Sequence, residues 1–473
     1  MKTFLSGLLV LALIAGAVAH AQASRLPDLG DASGGLLTPS EELELGRSLL
    51  REVRRVMPLV DDPEIAFYID ALGSRLVSHA PDASGTFHFL AIEDSQVNAF
   101  AMPGGIVGIH TGLIGATRDE AELAAVVAHE IAHVTQRHIA RMYARGRDIN
   151  FATGLAILAG ILAASLDPEL GQAAITGGLA FGMQSQLDYT RSNEAEADRV
   201  GIQILAATGF DPHAMADFFE RMQELSRGAH DAVPEYLRTH PVTLGRISDA
   251  RGRAEQMSGN FSRDDTGLFP WMQARARALK EPRRSIAAHD ATSDSDPVQV
   301  YEAMVAHLEL GQTDSAAALL ESIPAGEAPT LTLALAEVSL LRRQDRFDQA
   351  LSLLADLNAI YPEHPVIRRV RAMTLHEAGE HIDAVRIADE LLRRQATPDP
   401  ALLRLKADAA DAAGRIAVSR EAMAEYFFHR GQYSEAMRQF EDALTASDAT
   451  NRDRERIEHK RDTARQVADD ARR

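Results

Sequence analysis

The sequence predicts a mainly α protein: a helical domain carrying a small β-sheet, followed by an α-solenoid of tetratricopeptide-like repeats. Three observations predict it. Apolar residues recur at helical spacing through most of the chain, as in Leu123, Val127, Ile131 and Val134. Alternating, β-branched and aromatic residues cluster in one short stretch, Thr86 to Thr111, broken by Pro103-Gly104-Gly105. From Val298 the chain turns Ala- and Leu-rich, with a Gly turn, an aromatic and a small Ala recurring at a period of about 34 residues. A chain of 473 residues exceeds one hydrophobic core, so these parts are separate domains.

Residues 1–21 read as a targeting signal. Lys2 gives a positive start, Phe4 to Val18 is an apolar run, and Ala19-His20-Ala21 offers a cleavage site, with Ala17-Val18-Ala19 as the competing one. The other reading is an uncleaved anchor, for which the run is short against a bilayer span of about 20 residues. Without any cysteine there is neither a lipid-attachment Cys nor a disulfide framework. Export to the periplasm is the expected location. With 68 acidic against 49 basic side chains, a net charge of -19 argues against nucleic acid as a partner and against anionic lipid held by a basic patch.

The first folded domain is expected over 22–257. Thr38-Pro39-Ser40-Glu41 reads as cap, first-turn proline and capping glutamate of a helix to Met57, and Asp62-Pro63 opens a second helix through Leu76. Thr86 to Ile92 reads as a strand, with Val97 to Met102 and Ile106 to Thr111 as a hairpin. Asn98, Ala99, Phe100 and Ala101 are candidate substrate-binding residues, since an exposed strand edge accepts an extended peptide as one more strand; a plain structural hairpin is the equal alternative. Thr117 and Glu120 then form a capping box for the next helix, with Gly146 as its stop.

That helix carries His129-Glu130-Ile131-Ala132-His133. Residues four apart share a helix face, so both imidazoles can converge on one metal ion, and Glu130, about 100° round, can take a proton from a water in the metal's open position. This spacing is a metalloprotease signature and implies one Zn2+ per chain. His138 falls about 140° round from His133 on a continuous helix and is left out of the site. A catalytic zinc needs a third protein ligand. Arg191 to Asp198 is expected to begin a helix capped by Asn193 with Glu196 at its third position, running to Thr208 and stopping at Gly209. Glu194 is the third-ligand candidate. Asp198, four residues on, can accept the second ring N–H of a ligating histidine, while Glu196 points elsewhere.

Between the two motifs, Ile149 to Gln184 is almost wholly apolar apart from Asp167-Pro168-Glu169. It reads as a helical hairpin whose halves are short for crossing a bilayer. Packing on the domain, covering the site, or peripheral membrane contact through 149–184 are the options.

After Asp211-Pro212 comes the helix His213 to Leu225, and Arg246 to Met257 completes the domain. Residues 258–297 are polar and charged and read as a linker with one helix near Trp271 to Leu279. Residues 298–473 form the repeat domain: about four helix pairs ending in the charged helix Asn451 to Arg473, with a concave surface for a polypeptide partner. A generic helical bundle is the alternative.

These blocks taken together resemble the gluzincin peptidases that include the CAAX prenyl protease, the mitochondrial quality-control protease and periplasmic relatives. The resemblance is carried by His129-Glu130-x-x-His133, Glu194-x-x-x-Asp198, Asn98 to Gly105, and Arg238-Thr239-His240-Pro241. It implies that His129, His133 and Glu194 bind zinc, that Glu130 is the general base, and that His240 lies over the site and in a latent form occupies the metal's fourth position. It also implies that Arg246 helps hold the substrate or the oxyanion. The long separation of His133 from Glu194 departs from zinc peptidases that place the third ligand one helix later, and the apolar insertion accounts for it. The implied substrates are unfolded or misassembled outer-membrane proteins, with the outer-membrane assembly machinery as a partner of the repeats. A chaperone or scaffold with a latent peptidase site is the rival.

Overall fold

The computed structural model describes residues 38–145, 183–228, 234–264, 266–291, 296–324 and 326–470. The leader 1–21 and nearly all of the apolar stretch 149–184 lie outside them. α1 (Pro39–Val56) starts at the capping box of Thr38 and Glu41. α2 (Pro63–Val77) is capped by Asp62, whose carboxylate accepts from the Glu64 and Ile65 N–H groups.

Three strands follow, β1 (His88–Ile92), β2 (Ala99–Met102) and β3 (Ile106–His110), in the order β1-β3-β2. β2 and β3 form the expected hairpin, with Ala99 opposite Ile109 and Met102 opposite Ile106. β1 joins β3 in parallel. Both central turn residues, Gly104 and Gly105, lie at positive φ (+80° and +77°), a conformation that strains any residue with a Cβ.

A short helix absent from the sequence reading, α3 (Thr111–Ala116), leads into α4 (Glu120–Thr135). Thr117 is not the cap of α4. Its hydroxyl turns back to the Leu113 and Ile114 carbonyls and closes α3, while Asp119 accepts from Glu122 N–H at 2.9 Å. Nor does α4 run on to Gly146: it ends at Thr135, and Arg137 at φ +51° reverses the chain into α5 (His138–Arg145).

α6 (Met183–Ala207) begins well before Arg191, so Arg191 to Asp198 lies mid-helix and Asn193 is an interior residue rather than a cap. α6 packs across α4 at Gly201, where a Cβ would stand 3.1 Å from both Cα and N of His129. Only hydrogen fits there without displacement. α7 (His213–Gly228), α8 (Glu235–Thr239) and α9 (Leu244–Ala254) complete the surround.

The stretch 258–297 is not a linker. It forms α10 (Phe269–Lys280) and α11 (Pro282–Asp290), and Phe269, Trp271 and Met272 sit in the same core as Ile131 and Phe219. Its charged residues suggested a solvated connection, yet Arg275 is buried against Asp62 (2.7 Å), Glu64 (3.1 Å) and the Tyr301 hydroxyl (3.1 Å). Paired charges, unlike free ones, can lie inside.

The repeat region holds ten helices among the described residues: α12 (Pro297–Glu309), α13 (Thr313–Ser322), α14 (Thr330–Arg343), α15 (Phe347–Ile360), α16 (Pro365–Glu377), α17 (His381–Leu392), α18 (Pro400–Ala412), α19 (Ile416–His429), α20 (Tyr433–Thr445) and α21 (Asn451–Asp470). That is one pair more than the sequence suggested. The turns of the first four pairs carry Gly311, Asp345, Gly379 and Gly414, all at positive φ and recurring at about 34-residue intervals. Ala316, Ala350 and Ala384 recur in step, fully buried where the paired helices meet. The main core runs unbroken from Ile65 to Leu340, so the first repeats pack directly on the N-terminal helices.

Candidate metal centre

Two helices and one loop bring the site together. On α4, His129 and His133 project from one face with their Nε2 atoms 3.0 Å apart. α6 delivers Glu194, with Oε2 3.5 Å from His129 Nε2 and Oε1 3.4 Å from His133 Nε2. After α8, His240 places Nδ1 3.3 Å from His129 Nε2 and 3.1 Å from each Glu194 oxygen. One donor atom from each of these four residues lies within 4.8 Å of the others. Three imidazoles and a carboxylate are the nitrogen and oxygen donors that zinc takes. Glu130 is 1% exposed, and its Oε1 is buried, 3.4 Å from His240 Nε2 and without a hydrogen-bond partner among the described residues. A buried carboxylate oxygen is unfavourable without a partner, and the ring of His240 is the polar group nearest to this one.

The supports come next. Asp198 Oδ1 is 3.0 Å from His129 Nδ1, the ring nitrogen that faces away from Glu194. Arg246 donates through Nε (2.7 Å) and Nη2 (2.8 Å) to both Asp198 oxygens, and its Nη1 lies 2.9 Å from Glu194 Oε2 and 2.9 Å from the Pro241 carbonyl. Its fork is committed to the protein. Arg246 thus braces both carboxylates, the planar guanidinium matching Asp198 bidentately. Tyr236 stacks on His240 with ring centres 4.9 Å apart and helps set its ring.

Of the four candidate substrate-binding residues, Asn98 and Ala99 are buried and Phe100 and Ala101 half-buried. The accessible part of the β2 edge is thus its middle pair, Phe100 and Ala101. Its upstream end is met by α8, whose Tyr236 N–H donates to Val97 O at 3.0 Å.

Sequence reasoning missed His138. It was placed on a continuing helix, whereas the Arg137 reversal returns it to α4 with Nδ1 2.8 Å from His133 Nδ1. Gln136-Arg137 contains no Gly, Asn or Pro, so no residue in the sequence marks that turn. Glu196 does point away from the donor set, toward His138 (3.2 Å) and Arg141 (2.5 Å).

Burial dominates the electrostatics. It pushes His133 down to about 3 and raises the Glu130 carboxyl. Burial alone would also lower His129, but its contacts with Asp198 and Glu194 outweigh that and carry it up to about 10. Against burial, the charge of His240 and the ring nitrogens of His129, His133 and His240 hold Glu194 well below the usual carboxylate range. Two neighbouring carboxyl groups are thus shifted in opposite directions, Glu194 down and Glu130 up.

Residues 66–254 match peptidase family M48, a span that contains every residue of this centre. The chain is also 33% identical over 387 residues to the beta-barrel assembly-enhancing protease of Yersinia pestis, covering 72% of this chain and 78% of that one. The chain belongs to peptidase family M48. The protease of the same name from Escherichia coli (strain K12) is 42% identical over 260 residues, 54% of this chain and 53% of that relative, so the match spans about half of the relative's length. A mitochondrial metalloendopeptidase of Arabidopsis thaliana is 31% identical over 172 residues, 36% of this chain and 32% of its own. In this M48 chain the family match ends with α9, and α10 to α21 lie beyond it.

Proposed function

We propose that this chain is a periplasmic zinc endopeptidase that degrades misassembled or unfolded outer-membrane proteins, with the repeats docking substrate or the assembly machinery. The observation that carries the chemistry is the convergence of His129, His133 and Glu194 beside the buried Glu130 carboxylate. When bound, zinc would supply the Lewis acid that polarises the scissile carbonyl and acidifies a water. Glu130 would take a proton from the attacking water as its oxygen adds to the scissile carbonyl, and would return that proton to the amine as the C–N bond breaks; its raised pKa suits a group that must both accept and donate. An extended peptide lies along the Phe100-Ala101 edge.

His240 stands within reach of all three ligands and of Glu130, so the arrangement is closed. A catalytic zinc keeps one open position, and cleavage therefore requires His240 to withdraw. The substrate class rests on the names of the Yersinia pestis and Escherichia coli relatives, and the location on the signal-like leader. Among the described residues no helix is long and apolar enough to cross a membrane.

The test is zinc content and casein cleavage by the purified chain, beside Glu130→Gln and His240→Ala. The expected result is about one zinc per chain, metal without cleavage for Glu130→Gln, and faster cleavage for His240→Ala. Metal retention with no cleavage by any variant would shift the assignment to a chaperone or scaffold whose repeats bind unfolded clients.

A further inference from the structure

We propose that His138 is the positioning residue that fixes His133 as a metal ligand, and that Glu196 and Arg141 fix His138 in turn. The inference rests on the metal reading above and extends it to three residues outside the donor set. The Nδ1 atoms of His133 and His138 are 2.8 Å apart, with the rings crossed at 77°. At that distance one nitrogen donates and the other accepts, which leaves two possible arrangements.

Glu196 selects between them. Its Oε2 receives Arg141 Nη2 at 2.5 Å and lies 3.2 Å from His138 Nε2. An ionised carboxylate offers only lone pairs, so His138 Nε2 carries the hydrogen. A neutral imidazole with hydrogen on Nε2 has a bare lone pair on Nδ1. His138 Nδ1 therefore accepts, and His133 Nδ1 donates to it. His133 is left with its lone pair on Nε2, the atom that faces His129 Nε2 at 3.0 Å and Glu194 Oε1 at 3.4 Å. The correct tautomer of the ligand is thus dictated from Arg141 inward.

The local fold serves this arrangement. Arg137 adopts φ +51°, rare for a residue with a long side chain, and that reversal alone sets the first residue of α5 against the last turn of α4. The reversal is anchored by Arg137 Nη2 on Glu42 of α1 at 2.8 Å. His138 is 3% exposed, which shields the contact from competing water. At the other histidine ligand, Asp198 meets the Nδ1 atom directly; at His133 a carboxylate acts through one intervening ring. Partners of this kind orient metal ligands and raise their basicity.

The experiment is zinc affinity of the purified chain by competition with a chromophoric chelator, for wild type, His138→Ala and His138→Asn. Removing the acceptor should weaken zinc binding about 10- to 100-fold. His138→Asn, whose side-chain carbonyl accepts from His133 Nδ1–H, should recover much of the loss, which a merely space-filling role for the ring would not produce. An unchanged affinity in a folded His138→Ala chain overturns the inference while the metal reading stands; absence of zinc binding by the wild type overturns both. If the alanine variant does not fold, the long-range 1H–15N spectrum of the zinc-free wild type decides. Hydrogen on Nδ1 of His133 and on Nε2 of His138 supports the inference, and the reverse pattern overturns it.

Discussion

His129 Nδ1 stands 3.0 Å from Asp198 Oδ1, and Arg246 grips that same carboxylate through both of its oxygens. Burial would raise Asp198, but His129 and Arg246 outweigh it and keep the carboxylate ionised. An anion on the far side of the ring holds hydrogen on Nδ1 and sharpens the Nε2 lone pair. Asp198→Asn preserves the shape and removes the charge. Zinc affinity, read by chelator competition, should fall about 10- to 100-fold.

Gly201 decides how closely α6 can approach α4. An added Cβ would meet the His129 backbone at 3.1 Å, tighter than ordinary contact, and backbone cannot rotate out of the way. Gly201→Ala should force a shift of a few tenths of an ångström, and Gly201→Val a larger one that carries Glu194 off His129 and His133. The valine variant should lose about 1–3 kcal/mol of stability by overpacking. Thermal melting reads that loss, and zinc affinity should fall with it; an unchanged affinity would separate the helix spacing from the ligand geometry.

Metal removal should register on stability as well. A ligand that binds the native state at a hundred times its dissociation constant stabilises by about 2.7 kcal/mol. The centre lies inside the core that continues into the first repeats, so the effect should reach the whole cooperative unit and not the loop around His240 alone. Scanning calorimetry with zinc and with a chelator should show a melting midpoint several degrees lower without the ion. The same comparison on His129→Ala should show no difference.

How much of this was legible in the sequence depends on the range of the interaction. The helix of His129 and His133 and the hairpin at Gly104-Gly105 follow from period and turn chemistry, which are local, whereas Glu194 was reached through the metal's need for a third ligand. Asp198 was legible because it lies four residues past Glu194 on the same helix face, where it can meet the second ring nitrogen of a histidine. The contacts of Arg246 with Asp198 and Glu194 depend on where α9 lies against α6, and spacing carries no such information. His138 was lost to one backbone angle at Arg137. The supposed linker failed for a related reason: Arg275 looks solvated until Asp62 and Glu64, far away in the chain, are placed beside it.

That buried cluster gives a pH dependence whose sign can be worked out. Burial pushes Glu64 up to about 7 from an ordinary value of 4.5, while the neighbouring Asp62 is held low by Arg275 despite its own burial. Between pH 4.5 and 7 the folded chain keeps a proton on Glu64 that the unfolded chain has released. Stability through this group is therefore present below pH 4.5 and falls as the pH rises toward 7. Glu64→Gln imitates the protonated side chain at every pH and escapes the loss. The variant should match the wild type near pH 4.5 and become more stable than it by pH 7, by at most about 3 kcal/mol. Paired denaturant titrations across that window measure the difference. A difference that stays flat from pH 4.5 to 7 would mean that Arg275 keeps both carboxylates ionised throughout, and the cluster joining α2, α10 and α12 would then be a permanent triad and not a titrating one.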